Sequence, residues 1–216
     1  EFATVKECLK SAVEKYAKNI AFIIKKKKEK DVTYTNITYE QFGKDIRNLG
    51  TSLIDLGLEN KKIAIIGKNS YEWGLTYAAV LSGVGVTVPL DKGLQESETI
   101  VSLQRSKADA IVFDKEYLEL AKKIRNENNT NLKYFICMDS NEDKDNLYLY
   151  DLIKKGEQEP NDKRFEEHKI DPDAMATLVF TSGTTSKSKA VMLSQRNIVE
   201  DIIAVISLYR PGPMDS

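Results

Sequence analysis

A chain of 216 residues is long enough for one large domain or two small ones, with a sizeable buried core. With 41% hydrophobic and 30% charged residues the composition is that of a globular protein, not a disordered one. The formal net charge of −1 excludes the broad basic footprint of a nucleic-acid binder, and two cysteines, Cys8 and Cys137, exclude a disulfide framework and a cysteine-based metal site.

In chain order, the sequence opens at Glu1 with no charged-then-apolar leader, so no signal peptide is expected, and the lone thiols fit a reducing, cytoplasmic compartment. Val5, Leu9, Ala12, Val13 and Tyr16 recur at helical spacing. Ala21-Phe22-Ile23-Ile24 then runs into four lysines, Lys25 to Lys28, before the β-rich Val32-Thr33-Tyr34-Thr35. A hairpin whose exposed end carries lysines explains this better than a nucleic-acid or membrane patch. Thr38, with Gln41 three residues on, reads as a capping box for a helix whose apolar face is Phe42, Ile46, Leu49, Leu53 and Leu56, closed by Gly57.

Alternation follows. Strands are expected at 63–66, 86–90, 110–113 and 134–138, and helices at 70–82, 96–106 (with Ser97 as cap) and 116–126. Trp73 to Leu90 is uncharged for 18 residues, but Gly74, Gly83, Gly85 and Pro89 break it into a buried helix and strand and not a membrane span. Gly83 and Gly85 are read as allowing close helix–strand packing, because no Gly-x-Gly-x-x-Gly follows a strand. Continuous apolar strands between amphipathic helices imply an α/β class with a largely parallel sheet flanked by helices.

Residues 139–173 are crowded with charge around one short helical pattern, Leu147 to Ile153, and read as a solvated surface connection. His168 lies there among charged neighbours with no Ser or Cys partner pattern, and is expected to be a solvated surface side chain. Pro172 then prepares a strand.

The chemistry concentrates in that strand's exit. Leu178-Val179-Phe180 leads into Thr181-Ser182-Gly183-Thr184-Thr185-Ser186-Lys187-Ser188-Lys189, after which an apolar strand resumes. Small residues let successive backbone N–H groups converge on an anion; the hydroxyls of Thr181, Ser182, Thr184 and Thr185 and the amine of Lys189 add donors and charge suited to polyphosphate. A Walker A loop is excluded, since its second glycine would be Ser188 and its magnesium-binding hydroxyl Ala190. A polar hairpin tip without a ligand remains the alternative from composition alone.

This segment resembles the phosphate-binding motif of the adenylate-forming superfamily, Thr-Ser-Gly-Thr-Thr-Gly-x-Pro-Lys-Gly-Val. Thr181, Ser182, Gly183, Thr184, Thr185 and Lys189 stand, whereas Ser186, Ser188 and Ala190 replace Gly, Pro and Gly. Ile37–Phe42, Ile63–Trp73 and Ala79–Asp91 resemble further blocks, worded most like bacterial long-chain fatty acid–CoA ligases.

The resemblance implies an N-terminal portion of an acyl-CoA synthetase-like fold over 1–198, with 199–216 set apart as a tail. Residues 200–216, through Leu208–Met214, separately resemble a segment of the bacterial DNA polymerase III alpha subunit. The implied reaction joins a carboxylic acid, most simply a fatty acid, to CoA using ATP and Mg2+, with release of AMP and pyrophosphate. The six matching residues would hold the β,γ-phosphates. Adenine, ribose, magnesium and acyl contacts and a catalytic lysine would lie beyond position 216, so no catalytic residue or metal ligand is assigned and the chain alone is expected to be inactive. The alternatives are another adenylate-forming ligase (aryl-CoA ligase or adenylation domain) and a non-catalytic remnant that associates through an incomplete face.

Overall fold

The computed structural model describes residues 2–28, 31–181 and 188–209. Helix α1 (Val5–Tyr16) starts at a reciprocal cap, in which Glu7 N–H donates to the Thr4 hydroxyl at 3.3 Å and the Glu7 carboxylate receives the Thr4 N–H. Strands β1 (Ile20–Lys28) and β2 (Asp31–Thr38) form the expected antiparallel hairpin, with lysines inside the ladder and not only at its turn. At α2 (Tyr39–Asp55) only half of the expected capping box forms. Thr38 accepts from Gln41 N–H, but the Gln41 amide turns along the helix to Asp45.

The main sheet has the order β7-β6-β5-β3-β4-β8-β9. Its strands are β3 (Lys61–Ile66), β4 (Gly85–Pro89), β5 (Ala110–Phe113), β6 (Tyr134–Cys137), β7 (Leu147–Tyr148), β8 (Met175–Thr181) and β9 (Lys189–Ser194). All pair in parallel except β8 with β9. Period-two alternation divides the apolar runs between two cores. Ile63, Ala110, Val112 and Ile136 face α2, α3 (Tyr71–Ala79) and α6 (Leu149–Glu157). Ala64, Ile66, Ile111, Phe113 and Phe135 face α4 (Glu96–Ser106) and α5 (Leu118–Glu127). The α/β class with a mostly parallel, doubly covered sheet is therefore observed.

Local details differ from expectation for identifiable reasons. The helix expected over 70–82 ends at Ala79 and continues as a π turn, Val80–Val84, because Gly83 takes φ +149°. The glycine pair serves two close approaches other than helix against strand. A Cβ on Gly85 would lie 2.2 Å from the Lys61 carbonyl oxygen of the adjacent strand, and one on Gly83 would meet Phe165. Helix α4 is preceded by Gln95, whose N–H donates to Glu98 at 3.0 Å, so Ser97 lies inside the first turn instead of capping it. The helix expected over 116–126 begins as a 3₁₀ turn, Lys115–Tyr117, with Asp114 accepting from Glu116 N–H.

The largest correction concerns residues 139–173. The short helical pattern expected from Leu147 to Ile153 forms as β7 and α6, but α7 (Arg164–Glu167) follows it, and Leu149, Leu152 and Phe165 are buried in the first core instead of lying in a solvated connection. The few apolar residues suffice because α2 accepts them at close range, and Lys6 Nζ donates to the Phe165, Glu166 and His168 carbonyls at 2.7–3.1 Å. His168 is likewise not a solvated side chain. It is 16% exposed, with Nδ1 2.9 Å from Glu59 Oε1, because the chain after α7 passes back beside the turn that leads into β3.

Helix α8 (Gln195–Tyr209) begins at a buried glutamine that ties three elements. Gln195 accepts from Val5 N–H at 3.0 Å and donates to the Leu81 carbonyl at 2.8 Å. Val199 is buried with Val5, Leu81 and Ala176, whereas Ile203 and Ile206 are 41% and 53% exposed. Residues 210–216 lie outside the described residues. No described helix is long and apolar enough to cross a membrane.

Candidate functional site

Because β8 runs parallel to β4, the chain leaving Thr181 emerges at the carboxyl ends of β3, β4, β5 and β6. In open α/β sheets this is the edge at which ligands bind, since strand ends and loops converge there. The order also reverses about β3, which has β4 on one side and β5 on the other.

The loops at this edge are tied together by carboxylates. Buried Asp114, just past β5, accepts Lys68 N–H at 2.9 Å and Glu116 N–H at 3.1 Å. Gly67, with φ +155°, brings its α-carbon against this carboxylate, where a Cβ would lie 2.8 Å from Oδ2. Asp139 accepts Lys115 N–H at 2.7 Å, and Tyr117 Oη donates to the Lys92 carbonyl at 3.2 Å. Burial, reinforced by Asp114, Glu116 and Asp91, pushes the Tyr117 phenol up, so it remains a hydrogen-bond donor. These groups hold loops in place.

Thr181 and Lys189 are brought together. They are the last register pair of the β8–β9 ladder, both are exposed, and Thr181 Oγ1 lies 3.5 Å from the Lys189 carbonyl oxygen. Ser182, Gly183, Thr184 and Thr185 lie outside the described residues, as do Ser186 and Lys187. One contributor had no signal in the sequence beyond being a basic residue near a helix end. Arg105 in the last turn of α4 donates from Nη1 to the Ser188 carbonyl at 2.8 Å and to the Ser188 hydroxyl at 2.9 Å. Its guanidinium also lies 5.2 Å from the centre of the Phe180 ring.

Other chemistries have less to stand on. Burial pushes both thiols, Cys8 and Cys137, up and away from the thiolate form a nucleophile needs. Among the described residues, no group of three His, Cys, Asp or Glu is arranged around a metal ion. Magnesium commonly takes only one or two carboxylates together with substrate phosphates, so its ligands are not decided by that observation. Grooves of about 290, 310 and 480 Å³ open at the amino ends of β6 and of β4 and between α1 and α2.

The sequence of this chain matches the family described as AMP-binding enzyme over residues 9–215. The chain belongs to the AMP-binding enzyme family. The match continues through α8 into the segment set apart at 199, and lends nothing to the polymerase likeness of residues 200–216. Fatty acyl-CoA synthetase A of Dictyostelium discoideum is 29% identical over 182 residues, covering 78% of this chain and 26% of that protein. Long-chain-fatty-acid–CoA ligase 5 of Rattus norvegicus is 26% identical over 204 residues, covering 84% of this chain and 29% of that protein. This member of the family thus spans little more than a quarter of the length of these curated relatives.

The fold agrees. The crystal structure of a long-chain-fatty-acid–CoA ligase from Archaeoglobus fulgidus superposes with a TM-score of 0.81 at 18% identity, over 98% of this chain and 40% of that one. An anthranilate CoA ligase solved with anthranoyl-AMP gives a TM-score of 0.76 at 17% identity, over 95% of this chain and 36% of that one. The chain therefore has the fold of the N-terminal part of acyl-CoA ligases.

Proposed function

We propose that this chain supplies the triphosphate-holding part of an acyl-CoA synthetase site, acting on ATP, CoA and a carboxylic acid of the fatty-acid class. The observation that carries the reading is the pairing of Thr181 with Lys189 at the carboxyl edge, enclosing a hydroxyl-rich segment between the two strands. In this reading Thr181, Ser182, Gly183, Thr184, Thr185 and Lys189 hold the β,γ-phosphates of ATP while the acid's carboxylate attacks the α-phosphate. Their work is electrostatic: donors and a fixed cation stabilise charge as it accumulates on departing pyrophosphate. Mg2+ would neutralise further phosphate charge when bound. CoA thiol would then displace AMP from the acyl-adenylate, giving acyl-CoA.

The 216 residues by themselves are expected to bind phosphate weakly and to form no acyl-adenylate. A few contacts at an open, hydrated site must offset the entropy of ordering a flexible ligand, which limits ATP to roughly millimolar affinity, about −4 kcal/mol. The test is acid-dependent ATP–pyrophosphate exchange with the purified chain, alongside ATP binding. Weak binding without exchange is expected, and Lys189→Ala should reduce that binding most at low salt, where attraction to phosphate is least screened. Exchange above background with any fatty or aryl acid would show that this part of the site suffices.

A second reading, association without catalysis, is supported by apolar side chains left exposed on β9 and α8, among them Met192 and Leu208.

A further inference from the structure

Thr181 and Lys189 are the last pair of the β8–β9 ladder, supported by further pairing on one side only, and Ser188, immediately before Lys189, lies beyond the ladder. The resembled motif has proline at this position, whose ring would restrict φ by itself. Serine provides no such restriction. In its place a group from a different element takes hold: Arg105 uses one guanidinium nitrogen to donate to both the carbonyl and the hydroxyl of Ser188. The same guanidinium lies over Phe180, the residue before Thr181. One side chain on α4 therefore touches both roots of the segment, next to each of the two described phosphate-site residues.

We infer that Arg105 is a positioning residue for phosphate binding, holding the exit of the segment at Ser188 so that Lys189 and Thr181 keep their spacing. The inference rests on the phosphate-holding role proposed above. It assigns Arg105 no contact with phosphate. Its effect is carried through Ser188 and Phe180. Because these contacts are short-ranged, the effect should survive salt, whereas direct attraction between Arg105 and a polyphosphate would be screened. Because the hydroxyl of Ser188 takes part, the effect should also depend on which residue stands at 188.

The probe is inorganic pyrophosphate, titrated into the full 216-residue chain and followed by amide NMR shifts, with thermal midpoints recorded for every variant. Arg105→Ala should raise the dissociation constant about fivefold, the weight of one or two hydrogen bonds, at both low and high salt. In a Ser188→Pro background, where the ring restricts the backbone, the same substitution should cost less than about twofold. Arg105→Lys, which keeps the charge but not the planar stacking group, should recover only part of the loss. If Lys189→Ala weakens binding and Arg105→Ala does not, the phosphate reading stands and this inference fails. Full recovery by Arg105→Lys with an effect that vanishes at high salt would make Arg105 a mere charge and also overturn it. If the wild-type chain shows no pyrophosphate-dependent shifts, the phosphate reading falls and the inference falls with it.

Discussion

Thr177 and Thr87 are the register pair that joins β8 to the parallel sheet, and their hydroxyls reinforce it. Thr177 Oγ1 donates to the Thr87 carbonyl at 3.2 Å, and Thr87 Oγ1 donates to the Ala176 carbonyl at 3.4 Å, all in a buried setting. Thr177→Val keeps the shape and removes one donor, leaving a buried carbonyl with less satisfaction. A loss of about 1 kcal/mol is expected, read as a lower urea midpoint with unchanged slope. An unchanged midpoint would mean that the hydroxyl contributes nothing to docking β8.

Two glycines separate steric from backbone costs. A Cβ on Gly156 of α6 would lie 1.9 Å from the Asn48 carbonyl oxygen of α2, and neither backbone can move without displacing its helix. Gly156→Ala should cost about 3 kcal/mol or more, as overpacking against backbone does. Gly57 has φ +78° and nothing within 4 Å of a Cβ, so Gly57→Ala should cost only about 1 kcal/mol from conformation. Chemical denaturation of both variants ranks them, and equal losses would refute the close α2–α6 approach.

Acid should loosen the attachment of α7. The Arg164 side chain and backbone N–H hold the Asp162 carboxyl below its usual range, and Lys155, with Arg164, does the same for Asp55. Groups with depressed folded pKa values stabilise above the unfolded value and lose that contribution as pH falls through the folded one. Stability should therefore drop as pH descends below about 4. Asp162→Asn cannot titrate, so its thermal midpoint should fall less steeply over that window. A variant with the wild-type slope would assign acid sensitivity to other carboxylates.

Self-association is expected of the isolated chain. Met192 on the terminal strand β9 is 69% exposed, and Leu208 on α8 is 81% exposed. Edge strands and exposed apolar side chains favour pairing between copies. Light scattering should show mass rising with concentration, and Met192→Lys with Leu208→Lys should reduce it. A concentration-independent monomer would remove the association reading.

Much of the fold is legible along the chain. Ile63–Ile66, Ala110–Phe113 and Tyr134–Cys137 are short apolar runs whose length and β-branching mark strands, and each forms one. Such signals are local, so they survive without knowledge of neighbours. Charge hid α7 and the burial of α6, whose helical pattern from Leu147 to Ile153 was legible; Leu149, Leu152 and Phe165 are sparse in sequence yet buried in space. Phe165 fits because Gly50 and Gly83 leave room for its ring, a vacancy no window of sequence displays.

The candidate site divides in the same way. The order of residue types from Thr181 to Lys189 determined which groups are on offer, namely small residues, hydroxyls and a lysine in succession, on which the proposed phosphate role rests. Only the tertiary structure decided where that chemistry points. The pairing of β8 with β4 aims Thr181 toward the carboxyl edge, and α4 carries Arg105 to Ser188 across 83 positions of sequence. Strand neighbours and helix contacts of this range are chosen by which apolar faces can be buried together, a property of the whole chain that no local pattern contains.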